Sequence, residues 1–350
     1  MTNKFMRITK ILKKGGIITY PTETCYGIGA DATNQQAVTK IYKIKKRKTH
    51  MPLIVLFSSK KMAEKYVHLN KPAKLLMKKF MPVPLTLIAK KKKMTFFESH
   101  LSCQGKKYYT FLNNRITKSS AEDLVIGSNL TERNKTRSIE TIAFRISSHS
   151  FVRQLFKYYN KPLISTSANI SGKPEPYNIK DIDKKILASA DVIVDYGRLR
   201  KTKPSTIFNT LTLEIERKGP ISKSVIKKIM ENRIKKVLCG GAFNHIHKGH
   251  IYFLRKAKSL GDHLSVVVSN DARNSKKYGN KAVPAIERKQ ALEKLGIADN
   301  VIIGQKENIL NTLKKEQPNI IALGYDQPQL PNHIKKKYKI IRIGEHEKKI

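Results

Sequence analysis

The chain has 350 residues, which is enough for two domains with separate cores, and its 40% hydrophobic and 27% charged content is typical of a globular protein. No apolar run approaches the roughly 18–20 residues of a membrane helix, and no long apolar run near the start indicates a secretory signal. We therefore expect a cytoplasmic protein with no membrane partner. Its three cysteines, Cys25, Cys103 and Cys239, lack the paired spacing of zinc or redox sites.

The formal net charge of +44 results from 70 lysines and arginines against 26 aspartates and glutamates. One interpretation is attraction to RNA, nucleotides or other phosphates. The other is compositional drift, since lysines cover nearly every predicted helix. Aromatic residues are seldom interleaved with the basic ones, which argues against base stacking. Composition alone leaves both interpretations open.

The N-terminal part combines helical and strand-like patterns. The predicted order is helix 5–15, strand 17–20, helix 37–44, strand 53–57, helix 72–80 and strand 85–89. Residues 90–140 are lysine-rich with few periodic patterns, so we predict an insertion with at most short elements. Strand-like runs resume at 141–146, 163–165, 192–194 and 205–208. A lysine-rich helix over 222–236 is predicted to act as a linker.

From residue 236 the pattern changes to a regular alternation of strands and helices. The predicted order is strand 236–239, helix 249–260, strand 264–268, helix 285–295, strand 300–303, helix 306–315, strand 319–323, helix 331–337 and strand 338–342. Such alternation is typical of a parallel, doubly wound sheet. We therefore predict two α/β domains, one at 1–225 that contains the 90–140 insertion and a second at 235–350.

Four hydroxyl-rich or basic segments stand out in the N-terminal part. Segment 21–27 (PTETCYG) follows a strand, Lys45 and Arg47 follow a helix, and serines and threonines are concentrated at 165–172 and 204–207. Lysine and arginine clamp phosphates, and hydroxyl groups bond small polar ligands. No nucleophile is paired with a base, so the segments indicate a site that orients reactants without a covalent intermediate. A solvated basic face and helix capping are the alternatives for these residues.

Over about residues 8–225 these segments closely resemble the YrdC-like L-threonylcarbamoyladenylate synthase family. The resemblance implies a twisted open α/β sheet with a positively charged concave cavity. It also implies that threonylcarbamoyl-AMP is formed from L-threonine, bicarbonate and ATP, with release of pyrophosphate. In that family the product serves the threonylcarbamoylation of adenosine 37 in tRNA.

The resemblance assigns roles to particular side chains. Lys45 and Arg47 would act as catalytic groups that bind the ATP phosphates, Thr22 would contact threonine, and Arg145 would bind its carboxylate. The remaining pocket residues would be Thr86 and Ser205 for the substrate and Ser167, Asn169 and Arg217 for the nucleotide.

Two departures from the family pattern lie beside these residues. Val83 stands where the family usually has the glycine of Pro-Gly-Pro-Leu-Thr, and Ser147 stands two positions after Arg145 where a proline is usual. Losing a flexible glycine and a rigid proline changes the backbone freedom on both sides of the pocket. We expect these changes to affect substrate entry around Thr86 and Arg145 more than the ATP site.

Residues 237–250 (VLCGGAFNHIHKGH) carry the clearest single motif of the chain. A short apolar strand ends in glycines, and His247 and His250 follow where a helix is predicted to begin. A helix N-terminus offers free N–H groups and a positive dipole end, and residues three apart share one helical face. The arrangement suits a nucleotide whose pyrophosphate leaves. A structural role, or a metal site with His245 and Cys239, is the alternative, although four ligands so close in sequence cannot easily become tetrahedral.

Over about residues 236–345 this motif resembles the nucleotidylyltransferase superfamily with the HxGH signature, and most of all archaeal FAD synthase. Besides the histidines, the resemblance rests on Asn270-Asp271 after the second strand and on segment 324–327 (GYDQ) after the fourth. It implies transfer of AMP from ATP to FMN. His247 and His250 would stabilise the transition state, and the nucleotide would be bound by Ala242, Phe243, Asn244, Asp271 and Asp326.

Three further features accompany this second site. Lys276 and Lys277 are predicted to lie in a mobile loop that reaches the phosphates, and Arg288 is predicted to open the next helix. Asn244 stands where the family usually has aspartate, so we expect the contacts made at this position to differ from the family's.

Together the motifs predict a bifunctional enzyme that uses ATP and Mg²⁺ in both halves and has no dedicated metal site. The expected partners are L-threonine, bicarbonate, ATP and FMN, with tRNA or the tRNA threonylcarbamoyl transferase complex as a further candidate. Two alternatives stay open. The chain could be an RNA-binding protein, including a binder of double-stranded RNA, with a degenerate synthase domain, or its C-terminal half could be a cytidylyltransferase or another nucleotidylyltransferase.

Overall fold

The computed structural model describes residues 2–47, 52–92, 141–304 and 309–344. Within them the chain forms two separate β-sheets, one of ten strands and one of five. Most of the predicted insertion at 90–140, including Cys103, lies outside the described residues. Among the described residues, no helix has the length and apolar character needed to cross a membrane.

The first sheet is mixed parallel and antiparallel. Its strands are β1 (Ile18–Pro21), β2 (Tyr26–Asp31), β3 (Ile54–Leu56), β4 (Val67–His68), β5 (Leu85–Lys91), β6 (Thr141–Arg145), β7 (Leu163–Ser167), β8 (Val192–Ile193), β9 (Thr206–Asn209) and β10 (Glu214–Arg217). They lie in the order β10-β9-β5-β6-β3-β7-β2-β1-β8, and β4 pairs with β5. The accompanying helices are α1 (Thr2–Lys13), α2 (Gln35–Ile44), α3 (Lys60–Tyr66), α4 (Lys71–Phe80), α5 (Ser150–Tyr158), α6 (Lys184–Ala188) and α7 (Lys223–Glu231).

Both faces of this sheet are covered by apolar side chains. Neighbouring strand residues alternate between two clusters, because successive side chains of a strand point to opposite faces. Val55 and Ile164 belong to the larger cluster, which packs against α2, α3, α4, α6 and α7. Leu56 and Leu163 belong to the smaller one, which packs against α1 and α5. Burial on both faces explains the nearly continuous apolar runs of these strands.

The second sheet is entirely parallel. Its strands are β11 (Lys236–Gly241), β12 (His263–Val268), β13 (Asn300–Ile303), β14 (Ile320–Gly324) and β15 (Lys339–Ile343). They lie in the order β13-β12-β11-β14-β15. The connecting helices are α8 (Lys248–Ser259), α9 (Asp271–Tyr278), α10 (Ala285–Leu295), α11 (Ile309–Glu316) and α12 (Asn332–Lys337). The predicted α/β fold class, an open-sheet domain followed by a doubly wound parallel sheet, is confirmed; that the first sheet is mixed is a finding of the structure.

One predicted loop is wrong, and one strand of the first sheet was not predicted. Lys276 and Lys277 lie in the last turn of α9 and not in a loop, because the side chain of Asn270 caps that helix by accepting a hydrogen bond from the backbone N–H of Arg273 at 2.9 Å. The segment 26–31 is a buried strand, which its glycines conceal. A Cβ on Gly29 would lie 2.5 Å from the carbonyl oxygen of Ile164, so close strand packing requires glycine here.

Helix α7 does more than link the two sheets. Ile226 and Met230 are buried in the larger apolar cluster of the first sheet. The domain limits at 225 and 235 stay predictions, and α7 packs with the N-terminal part.

The two parts of the molecule meet at the turn between β9 and β10. The Nε2 atom of His263, at the beginning of β12, lies 2.5 Å from the carbonyl oxygen of Leu211 in that turn. Lys71 and Asp262 form an ion pair at 2.9 Å beside it. This contact involves the N-terminal end of β12, which is the end opposite to the glycine-rich end of the parallel sheet.

Candidate active sites

Three strands of the first sheet, β5, β6 and β7, present polar side chains on one face. Thr86 lies between Leu85 and Leu87, and Arg145 follows Phe144, while those apolar neighbours belong to the larger core. Because side chains alternate along a strand, Thr86 and Arg145 face the opposite side of the sheet. Ser167, at the end of β7, lies three positions after Ile164 of the larger core, so its side chain also faces the opposite side. The first predicted site is therefore built on the sheet face turned away from the larger core.

Lys45 is almost completely buried, with 1% of its surface exposed. Its ammonium donates to the carbonyl oxygens of Ser167 and Asn169, the latter at 2.7 Å, and to Oδ1 of Asn169 at 3.0 Å. Ser167 Oγ also donates to Asn169 Oδ1 at 2.7 Å. Burial, followed by the charge of Arg47, lowers the pKa of Lys45 to about 8. Lys45 thus orders the segment after β7. A nucleotide phosphate would have to compete with these oxygens for the hydrogen bonds that the ammonium donates.

A second polar group joins β5 to the β9–β10 hairpin. The hydroxyls of Thr86 and Ser205 lie 2.8 Å apart, and both are buried. Arg217 donates from Nη2 to Ser205 Oγ at 2.9 Å and from Nε to the Ser205 carbonyl at 3.0 Å. Burial lowers the pKa of Arg217. Three residues that are far apart in sequence therefore form one hydrogen-bonded unit.

The basic side chains of this region converge. Arg217 interacts electrostatically with Arg145 and Arg47, and Lys45 interacts with Arg47. Burial also lowers the pKa of Arg47, whose Nη2 donates to the carbonyl of Pro52 at 3.0 Å. We call Lys45, Arg47, Arg145 and Arg217 the cationic pocket. Such a concentration of partly desolvated positive charge favours a polyanionic ligand.

Thr22 lies beside this pocket, in the turn between β1 and β2. Its hydroxyl donates to the carbonyl of Cys25 at 2.7 Å and accepts from the backbone N–H of Thr24 at 3.3 Å. The side chain is thus engaged in shaping the turn, and a direct contact to a substrate stays a prediction.

The sequence motif did not single out Glu23, yet its carboxylate enters the cationic pocket. Glu23 Oε1 lies 3.2 Å from Arg145 Nη1, and both side chains are largely buried. Its Oε2 accepts a hydrogen bond from the hydroxyl of Ser147. The sequence did contain an indication of this role, since Glu23 is an acidic residue in a segment whose other polar residues carry hydroxyl groups.

The second predicted site lies where β11 and β14 end. The strand order reverses between these two strands, and ligands of open α/β sheets bind in the crevice at such a point. Gln327 bridges the two ends, since Nε2 donates to the Gly240 carbonyl at 2.6 Å and Oε1 accepts from the Gly324 N–H at 3.1 Å. The segment after β14 is thus held directly beside the glycine-rich segment.

The rings of the two histidines lie in tilted contact at this crevice. The ring centroids of His247 and His250 are 3.9 Å apart, and Phe243 packs on His250 at 5.1 Å. A Cβ at Gly249 would lie 3.1 Å from the His247 ring, so the glycine lets this ring lie against the helix backbone. Burial, followed by the proximity of His247, lowers the pKa of His250, which also interacts electrostatically with Asp326 and Lys277.

The backbone beside the histidines is tightly held. Phe243 is buried in the left-handed region with φ of 50°, a strained conformation for a non-glycine residue. Buried Arg288 donates to the Ala242 carbonyl at 2.7 Å and to Asp271 Oδ1 at 3.2 Å. Asp271 also accepts from the N–H of Ala285. The structure places Asp271 in this bracing network and Asp326 on the exposed side of the crevice.

Asn244 makes contacts that a carboxylate could not reproduce. Its Nδ2 donates to the Lys281 carbonyl at 2.9 Å, and its Oδ1 accepts from Asn274 Nδ2 and the Val283 N–H, both at 2.8 Å. An aspartate would place an oxygen against the Lys281 carbonyl. The amide therefore pins the segment between α9 and α10 to the strand end.

No group of three or more His, Cys, Asp or Glu residues suited to holding a metal ion occurs in the described ranges. Cys239, which the metal interpretation would require, is buried in the apolar core of the second sheet, and burial raises the pKa of its thiol to about 12. These donors do not form a built metal site.

Comparison with known proteins agrees with this division of the chain. Residues 10–219 match the Sua5/YciO/YrdC family, described as telomere recombination, and residues 238–347 match the cytidylyltransferase-like family. A putative threonylcarbamoyl-AMP synthase of Methanocaldococcus jannaschii is 34% identical over 206 residues, which cover 58% of this chain and 80% of that protein.

The C-terminal part has its own relatives. An FAD synthase of Pyrococcus horikoshii is 40% identical over 111 residues, which cover 31% of this chain and 75% of that protein.

The crystal structure of P. abyssi Sua5 complexed with L-threonine shares the fold, with a TM-score of 0.51 and 20% identity over 98% of this chain and 97% of that one. The chain therefore belongs to the Sua5/YciO/YrdC family and carries in addition a C-terminal domain of the cytidylyltransferase-like family.

Proposed function

We propose that the chain is a bifunctional enzyme in which the N-terminal domain makes threonylcarbamoyl-AMP and the C-terminal domain makes FAD. The convergence of four basic side chains on a hydroxyl-lined face supports the first activity, together with the threonylcarbamoyl-AMP synthase relatives. The contacting histidines at the strand-order reversal support the second, together with the FAD synthase relatives.

The first reaction joins threonine, bicarbonate and the α-phosphate of ATP. The threonine nitrogen must form a bond to the bicarbonate carbon with loss of water, and an oxygen of the resulting carbamate must then displace pyrophosphate from ATP. The cationic pocket would hold the phosphates and offset the charge that develops on the departing pyrophosphate. Arg145 would bind the threonine carboxylate, and the Thr86–Ser205–Arg217 unit would orient the reactants.

The second reaction transfers AMP from ATP to the phosphate of FMN, again with release of pyrophosphate. His247 and His250 stand at the N-terminus of α8, where free backbone N–H groups would also stabilise a bound anion. Imidazole N–H groups directed at the phosphorus oxygens would stabilise the crowded transition state. The strained turn at Phe243, braced by Arg288, would keep these donors in place before the substrate binds.

We propose that both reactions use ATP with Mg²⁺. The described residues offer no cluster of carboxylates for the ion, so we propose that Mg²⁺ enters with the ATP phosphates and takes few protein ligands. When bound, it would neutralise part of the phosphate charge. Delivery of the first product for tRNA modification, and residence in the cytoplasm, are part of the same proposal.

Mass spectrometry of the products tests both activities. The purified chain is incubated with ATP, Mg²⁺ and bicarbonate, with threonine in one sample and FMN in another, and the labile first product is measured within minutes. We expect threonylcarbamoyl-AMP in the first and FAD in the second. Replacing ATP by CTP should abolish the second product, and a cytidylylated product would instead identify the C-terminal half as a cytidylyltransferase. Absence of both products from folded protein would contradict the proposal.

A further inference from the structure

The turn that closes β14 is held from both sides of the parallel sheet, and we call it the β14 turn. It begins at Gly324 and ends at Gln327, whose backbone N–H donates to the Gly324 carbonyl at 3.3 Å. On one side, the Gln327 side chain joins the turn to Gly240 at the end of β11. On the other side, Nη1 of Arg342 in β15 donates to three carbonyl oxygens of the turn, those of Gly324 at 2.7 Å, Gln327 at 2.8 Å and Tyr325 at 3.1 Å. The backbone of Tyr325 is therefore fixed before any ligand binds.

Tyr325 lies at the tip of the β14 turn and presents an aromatic ring there. It is 56% exposed, and no large apolar side chain in the described ranges is more exposed. A single exposed apolar residue is ordinary on a protein surface, so the exposure by itself indicates nothing. The informative feature is that the ring is carried by a backbone that is already rigid. Such a ring binds a partner without a further cost for ordering the chain.

This ring belongs to the crevice of the second site. The β14 turn follows the carboxyl end of its strand, next to the strand-order reversal where ligands of open α/β sheets bind. The residue after Tyr325, Asp326, interacts electrostatically with His250. Both substrates of the proposed reaction carry a flat heteroaromatic ring, the isoalloxazine of FMN and the adenine of ATP. Rings of this kind stack on aromatic side chains.

We propose that Tyr325 stacks on a flat heteroaromatic ring of the substrates bound at the second site, and that Arg342 is a positioning residue that holds Tyr325 in place. The inference rests on the proposed FAD synthase activity and adds a group that recognises a ring instead of a phosphate. Isoalloxazine and adenine share the chemistry that Tyr325 would bind, and fluorescence and kinetics distinguish these two sources.

Flavin fluorescence reports on the isoalloxazine directly. FMN is titrated with the full chain in the presence of α,β-methylene-ATP, which cannot transfer AMP, and both the emission and the heat of binding are recorded. A tyrosine stacked on isoalloxazine quenches its emission, whereas leucine and phenylalanine do not, and the chain contains no tryptophan that could do so. For Tyr325→Leu we expect an about tenfold weaker Kd and loss of most of the quenching. Tyr325→Phe should keep the Kd within about twofold and still lose the quenching.

Steady-state kinetics of FAD formation report on the adenine. If Tyr325 stacks on isoalloxazine, Tyr325→Leu should raise the KM for FMN about tenfold and leave the KM for ATP within about twofold. If Tyr325 stacks on adenine, the KM for ATP rises instead, and the quenching of FMN stays intact. Tyr196→Leu is the matched control, since this tyrosine is 55% exposed and belongs to the first part of the chain. It should leave the fluorescence and both KM values unchanged.

A double-mutant cycle tests the positioning role of Arg342. Arg342→Met removes the hydrogen bonds to the β14 turn and should weaken the stacked ligand about three- to tenfold. In a chain that already carries Tyr325→Leu, the same change should weaken that ligand by less than about twofold, because Arg342 acts through Tyr325. Arg342→Lys keeps a cation that can donate to the carbonyls and should restore part of the affinity. Equal effects of Arg342→Met in both backgrounds would show that this positioning role is wrong.

The outcomes distinguish this inference from the proposed function, and thermal melting checks that each variant is folded. If Tyr325→Leu changes neither KM nor the quenching while FAD is formed, the inference is wrong and the proposed function stands. If Tyr325→Leu and Tyr325→Phe both weaken the two substrates equally, Tyr325 has only a structural role, and the inference is again wrong. If the unaltered chain neither binds FMN nor forms FAD, the proposed function itself fails, and the inference fails with it.

Discussion

The two candidate sites differ in how far apart their residues lie in the sequence. The second site draws its histidines, its strained turn and its helix N-terminus from one stretch, 240–250, and adds the end of β14. The first site combines side chains from four distant segments, represented by Glu23, Lys45, Arg145 and Ser205. A local site can be identified from a short motif, whereas a dispersed site depends on the sheet to bring its members together.

The difference in locality also predicts that the two activities can be removed separately. His250→Ala should lower FAD formation about 10²- to 10³-fold, the usual cost of losing one donor that stabilises a transition state. Threonylcarbamoyl-AMP formation should stay within twofold, because the histidine crevice lies at the opposite end of the parallel sheet from the contact with the first domain. Product formation by both halves of the same preparation checks this.

His245→Ala is the matched control, since this neighbouring histidine takes no part in the contact between the rings of His247 and His250. It should retain most FAD formation. Equal loss of both activities in His250→Ala would show that the two halves depend on each other.

Varying the pH distinguishes the two sites further, because among the described residues only the first site contains a buried lysine with a lowered pKa. Burial lowers the pKa of Lys45 from 10.5 to about 8, so the folded chain loses this charge as pH rises through 8. The ratio of threonylcarbamoyl-AMP formation by the unaltered chain to that by Lys45→Met should therefore fall about tenfold between pH 7 and pH 9. Taking the ratio cancels the pH dependence of threonine and bicarbonate.

The same shift affects stability with a defined sign. The unfolded lysine keeps its proton up to about pH 10.5, so burial of the charge destabilises the fold below pH 8. Between pH 8 and pH 10.5 the folded lysine is neutral, so this penalty disappears and the free energy of unfolding rises with pH. For the activity test, a ratio of unaltered chain to Lys45→Met that stays constant up to pH 9.5 would show that Lys45 titrates at its ordinary pKa.

An effect of similar size is expected from restoring the residue that is usual in the second family. Asn244→Asp should lower FAD formation about tenfold, because the new carboxylate faces the Lys281 carbonyl now 2.9 Å from the amide. Asn244→Ala removes the same contacts without adding charge and should be the milder change. Steady-state kinetics with FMN compare the two, and higher activity in Asn244→Asp would contradict the role of the amide.

The smallest effect concerns the contact between the domains. His263→Ala removes the hydrogen bond to the Leu211 carbonyl and leaves that oxygen near a small cavity. Losing about 1 kcal/mol should lower the melting temperature by about 2–4 °C. Both activities should stay within twofold. A large loss of either activity would show that the contact couples the sites.

The fold was predictable to different extents in the two parts. Regular alternation from residue 236 onward predicted every strand of the parallel sheet, since each buried strand is a short apolar run between helices. In the mixed sheet, β2 was missed because Gly27 and Gly29 read as a loop, although they allow close packing against β7. Helix α9 was missed because its residues are polar and only its Asn270 cap signals it.

The sequence by itself determined the two chemical motifs, the α/β class and the succession of strands and helices in the parallel sheet, because these depend on local spacing and on hydrophobic periodicity. Only the tertiary structure decided which side chains share a site. It placed Glu23 against Arg145 and Ser147, engaged Thr22 within its own turn, and fastened Lys45 to the segment after β7. The physical reason is that the partners of Glu23 and Lys45 lie more than 100 residues away, which no local pattern records, and that a motif names Thr22 without showing which hydrogen bonds its hydroxyl makes.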